Sequence, residues 1–187
     1  MTFAGKPLSA VVLLIGMALS GCAFFARAPI GNPSVPQPAK DVDLQKYLGR
    51  WYEIARYEAR FQRDCEAVAA DYSLRPDGQI GVVNSCRRKT LDAPVDSVEG
   101  RAYVVEGSRN AKLRVSFFWP FYGNYWILDR GDDYEWAIVG EPSGRYLWLL
   151  FRTPHPPEAV QQAVKARAAE MGYETNLLRT TKHQGLN

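Results

Sequence analysis

Apolar and polar side chains alternate with period two through most of the chain beyond residue 65. Val68-Ala-Ala70-Asp-Tyr72-Ser-Leu74 is one such run and Ile80-Gly-Val82-Val-Asn84 is another. Between them lies Arg75-Pro76-Asp77-Gly78, in which proline presets φ and glycine accepts a positive φ, so Cys65 to Arg87 reads as a β-hairpin. Further strands are predicted at Gly100–Glu106, Lys112–Phe118, Tyr125–Asp129, Tyr134–Val139 and Tyr146–Arg152, with turns at Asp132-Asp133 and Glu141-Pro142-Ser143-Gly144. A short last strand is expected at Asn176–Thr180. One segment has helical spacing instead. Pro156-Pro157-Glu158 opens it, Val160, Ala163, Val164 and Met171 recur on one face, and Gly172 caps it. Many short strands joined by brief loops point to an all-β antiparallel sandwich or barrel. A single late helix cannot cover both faces of a large sheet, whereas a sheet closed on itself with the helix packed outside leaves no face uncovered.

The first forty residues follow a different pattern. Lys6 is a thin positive region, and Ala10 to Leu19 is an apolar run too short for a span that needs about 20 residues. Leu19-Ser20-Gly21-Cys22 follows at once and resembles the lipobox of bacterial lipoproteins, whose cysteine becomes the acylated first residue of the mature chain. The plainer alternative is an ordinary signal peptide with an incidental cysteine. Ala23 follows, and a non-acidic residue there implies, within that lipoprotein class, sorting to the outer membrane. Residues 23–40 hold Pro29, Pro33, Pro36 and Pro38 with little periodicity and read as a semi-rigid tether that lifts the domain off the membrane. The resulting division is a signal peptide at 1–21, a lipidated tether at 22–41 and a folded domain at 42–187.

Composition and charge narrow the function. The net charge is +3, and Lys6 is the only charged residue before Cys22, so the exported part carries little charge. Basic residues are interleaved with acids, which argues against nucleic acid as a partner. Three cysteines less Cys22 leave Cys65 and Cys86 at the open end of the hairpin. An even remainder in an oxidising compartment suggests a disulfide, worth about 3 kcal/mol for a loop of that length. The two histidines, His155 and His183, fall in loop and tail positions, and neither has a partner at triad or metal spacing. No G-x-S-x-G, H-E-x-x-H or glycine-rich phosphate loop is present. The expectation is a protein with no enzymatic activity, no cofactor and no metal.

Gly49-Arg50-Trp51-Tyr52-Glu53-Ile54 resembles the G-x-W signature of the lipocalin family. Tyr125-Trp126-Ile127-Leu128-Asp129 followed by Tyr134 stands where the family's second motif belongs, although Asp129-Arg130-Gly131 replaces the usual Thr-Asp-Tyr. Arg152-Thr153-Pro154, ahead of the helix, resembles the third motif. The resemblance runs from about Val42 to Leu178 and is strongest with the bacterial (Blc-like) branch of outer-membrane lipoproteins. It implies an eight-stranded antiparallel up-and-down β-barrel, the lipocalin calyx, with one C-terminal helix outside. It also implies a lipid-anchored protein at the outer membrane facing the periplasm. Gly49, Trp51 and Arg152 would close one end of the barrel, the arginine lying over the indole in a cation–π contact worth about 0.5–2 kcal/mol.

Register within that resemblance assigns the inward, ligand-facing side chains as Val68, Ala70, Tyr72, Val82, Asn84, Ala102, Val104, Leu113, Val115, Phe117, Tyr125, Ile127, Ala137, Val139, Tyr146 and Trp148. Leu74, Ile80 and Leu150 face the same way. Leu74 and Leu150 are expected beside the plug, and Asn84, Tyr125 and Tyr146 near the mouth. Asp71, Arg114 and Ser116 should meet water. An apolar cup with few polar anchors selects for shape and chain length. Burial of about 12 CH₂ groups yields roughly 10 kcal/mol gross, less an association cost of about 4 kcal/mol or more. The expected partners are therefore fatty acids or lysophospholipids, with membrane attachment through the N-terminal anchor. The alternative is an envelope lipoprotein whose barrel is filled by Trp148, Tyr125 and Phe117 and which acts through its surface. The aromatic run Phe117-Phe118-Trp119-Pro120-Phe121-Tyr122 would form a mouth rim, a membrane-touching edge or a homodimer contact, or else fold over the barrel.

Overall fold

The computed structural model describes residues 29–185. The export signal and the Cys22 lipidation site lie outside the described residues. Eight antiparallel strands follow one another: β1 Gly49–Tyr57, β2 Cys65–Leu74, β3 Ile80–Arg88, β4 Val95–Val104, β5 Lys112–Phe118, β6 Phe121–Arg130, β7 Trp136–Gly140 and β8 Leu147–Phe151. Each pairs with the next, and β8 returns to β1 while β1 also pairs with β2, so the sheet closes into a barrel. A ninth strand, β9 Leu178–Thr180, runs along the far half of β1. Gly49 opens β1 at φ +90°, a backbone conformation that favours glycine. A short helix, α1 Leu44–Tyr47, precedes β1, and its N-cap is the Asp43 carboxylate, which accepts from the Gln45 and Lys46 amides.

The pleat sorts the apolar residues into two cores. The inward core includes Trp51, Tyr72, Val82, Ala102, Leu113, Ile127, Val139 and Leu150. The outward core lies beneath α2 Glu158–Glu170 and includes Ile54, Leu128, Ile138, Leu147, Leu149 and Phe151 with Val164 and Ala168 of the helix. Arg167 docks the helix further by donating to Asp129 at 2.7 Å. Cys65 and Cys86 form a disulfide across the open end of the β2–β3 hairpin.

Several expectations are corrected. The helix buries Val164 and Ala168 and leaves Ala163 exposed, because a single i, i+4 row meets the barrel. Strand β4 begins at Val95, not Gly100; its early residues are exposed on both faces and carry no core signal. Strand β6 begins at Phe121, ahead of a non-apolar Gly123-Asn124 pair that hides it. Tyr134 belongs to the turn before β7, at φ 59°, and its hydroxyl accepts from the Asp43 amide. Asn176 lies in a 3-10 turn before β9. Residues 31–42 are not a free spacer. Gly31 and Asn32 donate to the Gly144 carbonyl, Ala39 to Leu128 and Val42 to Arg109, so this segment is strapped down the barrel wall.

Candidate functional site

The strand ends divide the barrel into a closed floor and an open mouth. The floor gathers the start of β1, the β2–β3, β4–β5 and β6–β7 turns, and the end of β8; the mouth gathers the four opposite loops. At the floor the Arg152 guanidinium lies 3.8 Å from the centre of the Trp51 ring. It donates to the carbonyls of Lys46, Arg50 and Tyr134, which satisfies the cation where it leaves water. The Trp51 indole donates to the Tyr47 carbonyl at 2.8 Å. Above this pair three phenols meet. Tyr72 donates to the Tyr125 hydroxyl at 2.9 Å, and the Tyr47 and Tyr125 hydroxyls are 2.7 Å apart. Burial pushes Tyr72 up to about 12 and raises Tyr47 and Tyr125 well above the ordinary phenol range, so all three are neutral hydrogen-bonding groups at physiological pH. Tyr125 therefore belongs to the floor and not to the mouth, because Leu113 at the start of β5 is its cross-strand partner.

Tilted strands make a ladder of partners climb from floor to mouth. Trp51 pairs with Ala70, Ala70 with Asn84 and Asn84 with Val98. Along that row Trp51 is fully buried, Ala70 and Asn84 are partly accessible, and Val98 is 39% exposed. Val98 was not among the expected lining residues because the sequence pattern begins its strand too late. The row above the floor behaves alike: Tyr72 and Val82 are buried, and Gly100 beyond them is not. A Cβ on Gly100 would come within 2.7 Å of the Phe117 ring, so glycine there lets that ring cross β4. Ile80, Ala102, Leu113, Ile127, Ala137, Val139 and Leu150 are buried in the inward core, with Val104, Val115, Phe117 and Trp148 packed against them and partly accessible. Val68 instead packs with the disulfide.

Three placements differ from expectation. Leu74 obeys the inward alternation but is 56% exposed, because β2 runs past the floor before it turns. Ser116 is only 4% exposed, a short side chain on the outer face beside its cross-strand partner Arg101. The interior is also not uniformly apolar. Glu53 pairs with inward Leu150 and Arg56 with inward Trp148, and both charged residues are buried. Arg56 donates to Glu53 at 2.6 Å and to the Gln62 and Cys65 carbonyls. Gln62 donates to Glu53 and accepts from the Trp148 indole, which ties the β1–β2 loop to the wall. A bulge between Glu53 and Ala55 turns Arg56 inward, and strict alternation from Trp51 could not have placed it. At the rim Tyr146 stacks on Trp148 at 5.7 Å and meets Phe61 of the β1–β2 loop at 5.8 Å. The aromatic run after Phe117 does not fold over the mouth; Phe118, Trp119 and Phe121 stand outside it.

Residues 42–183 match the model of a lipocalin-like domain. This chain is a lipocalin. It is 38% identical over 169 residues to the outer membrane lipoprotein Blc of Vibrio cholerae, covering 89% of this chain and 94% of that one. The Blc of Citrobacter freundii is 40% identical over 158 residues, covering 81% and 89%. Bovine apolipoprotein D is 34% identical over 162 residues, covering 80% and 83%. Among solved structures, insecticyanin from the tobacco hornworm superposes with a TM-score of 0.68 at 16% identity, covering 84% of this chain and 89% of that one, a likeness of fold. The chain is a bacterial, Blc-like lipocalin, lipid-anchored at the outer membrane, and the family's common property is a barrel that binds hydrophobic ligands.

Proposed function

We propose that this lipocalin carries single-chain lipids, fatty acids or lysophospholipids, in the mouth half of its barrel. One observation supports the reading above all. Inward Trp51, Tyr72, Ile80, Ala102 and Leu113 toward the floor are buried, whereas inward Ala70, Asn84, Val98, Val115, Phe117 and Trp148 keep accessible surface. A barrel filled by its own side chains would bury both sets alike, so the gradient favours carriage over the filled-barrel alternative. The accessible wall is mainly apolar, which suits an acyl chain; polar groups converge at the three phenols above the floor and at Gln62 toward the mouth. The work of such a site is binding and release, with no bond made or broken. In this reading residues 1–21 are the export signal, Cys22 bears the acyl anchor, and Trp51 with Arg152 stops the ligand from passing the floor.

The test is a titration of the acylated chain in detergent-free solution with a fluorescent fatty acid, then competition by lysophospholipid. Saturable one-site binding is expected, weakened at least tenfold by Asn84→Trp, which fills the accessible half, and by Tyr146→Asp at the rim. Unchanged circular dichroism keeps the variants interpretable. Absence of saturation with any single-chain lipid would overturn carriage in favour of a filled barrel acting through its surface.

A further inference from the structure

The large apolar side chains that remain exposed are not spread evenly. Phe118, Trp119 and Phe121 are 73%, 73% and 77% exposed, and they form the tip of the β5–β6 hairpin. Phe61, in the β1–β2 loop, and Val95, at the start of β4, are exposed at the same end of the barrel. Toward the floor Leu74 and Tyr103 are exposed at 56% and 43%, on separate strands, among the charged side chains of Arg75, Asp77, Glu106, Arg109, Asp132 and Asp133, so no aromatic cluster forms there. Clustered exposed aromatics mark an interaction surface, and indole and phenyl rings suit the boundary between headgroups and acyl chains.

The course of the N-terminal segment says which surface this is. Gly31 is pinned at the mouth, donating to the Gly144 carbonyl of the β7–β8 loop while its own carbonyl accepts from Glu174. From there the strap descends, and Val42 reaches the Arg109 carbonyl at the floor. The chain therefore arrives from the anchor at the mouth end. Cys22 precedes Gly31 by nine residues, a reach of at most roughly 30 Å. A barrel of such tilted strands is itself roughly 25 Å tall, so a floor-down posture would spend nearly all of that reach on passing the wall. With the mouth toward the membrane no such span is needed. Ile30, exposed beside Gly31, extends the same apolar rim.

We propose that the open end of the barrel docks on the phospholipid surface that holds the acyl anchor, with Phe118, Trp119 and Phe121 seated among headgroups and upper acyl chains. The mouth then opens onto the bilayer, and a single-chain lipid can pass between bilayer and barrel without crossing water. The docking rests on the anchor and the rim; it does not require the barrel to carry lipid.

The experiment reconstitutes the full acylated chain into vesicles of phosphatidylethanolamine and phosphatidylglycerol with brominated acyl chains, which quench nearby tryptophan. Part of the emission should be quenched, and Trp119→Phe should lose at least half of the quenched amplitude while Trp148→Phe keeps most of it. Loss with Trp148→Phe alone would mean that brominated lipid reports the barrel interior, and would overturn the docking. In the Cys22→Ser chain, Phe118→Ser/Trp119→Ser/Phe121→Ser should lower partition onto the same vesicles at least tenfold. Equal partition overturns the proposal. So does a lipid-free dimer that the triple variant dissociates without any change in quenching, since the rim would then fit a second copy of the chain. Fatty-acid titration of the triple variant reads the barrel separately and should be unchanged.

Discussion

The floor and the mouth are built from the same eight strands and solve opposite problems. At the floor most inward groups are covered and most polar atoms are paired: the Arg152 cation has three carbonyls, the Trp51 indole one, and three phenols have each other. At the mouth much of the inward wall stays accessible, although Arg56 and Val139 beside Trp148 are buried, and the loops push aromatic side chains outward. Close packing yields stability only where no ligand must enter, so the two halves should answer differently to the same change. Trp51→Ala removes a fully buried indole and leaves Arg152 without its ring; it should cost about 3–5 kcal/mol in urea unfolding. Trp148→Ala, in the accessible half, should cost less than half as much and act mainly on ligand affinity. Equal losses from the two would dissolve the distinction between floor and mouth.

Alkali sharpens the comparison at the phenols. Tyr72 is held up to about 12 by burial, above the ordinary phenol value near 10, so between those values the unfolded chain releases a proton that the folded chain keeps. Its contribution is complete below about pH 10 and falls away as pH rises toward about 12, by something on the order of 3 kcal/mol. Other buried tyrosines, Tyr57 among them, add to the total loss. The difference between wild type and Tyr72→Phe isolates the floor: the variant's unfolding free energy should fall less steeply over that interval. Parallel curves would show that the floor phenols are hydrated in solution.

Much of this architecture is legible in the sequence, and what is not has physical causes. Alternation carries the inward face wherever one side of a strand is buried, hence Val82, Leu113, Ile127 and Val139. It fails where both faces meet water, as at Val95 to Glu99, because no core contact selects the residues there. It fails again at a bulge: Glu53 and Arg56 both point inward three residues apart, and no period of two contains them. Height within the barrel is hidden as well. The pleat tells inside from outside, but only the stagger of tilted strands tells floor from mouth, which is why Tyr125 and Leu74 are misplaced by pattern alone. Pro29, Pro33, Pro36 and Pro38 suggest a semi-rigid tether, yet the Gly31 and Asn32 amides bind Gly144 and fasten the segment to the wall. That contact joins residues far apart in the chain, and nothing local announces it.

Leu74 gives the smallest predicted effect and the cleanest control. It continues the inward row of Tyr72 by alternation, but β2 carries it beyond the plug, where it is more than half exposed. If pleat orientation alone decided energetic weight, Leu74→Ser would cost as much as truncating an inward residue such as Leu113, about 2–5 kcal/mol. If height decides, the change should stay within about 0.5 kcal/mol, the range of ordinary surface substitutions. Fatty-acid titration and vesicle partition should both be unmoved, since the side chain lies at the opposite end from the mouth. A substantial stability loss at Leu74 would place the closed end lower than Trp51 and Arg152. The accessible half would then be longer than the ladder from Trp51 to Val98 allows.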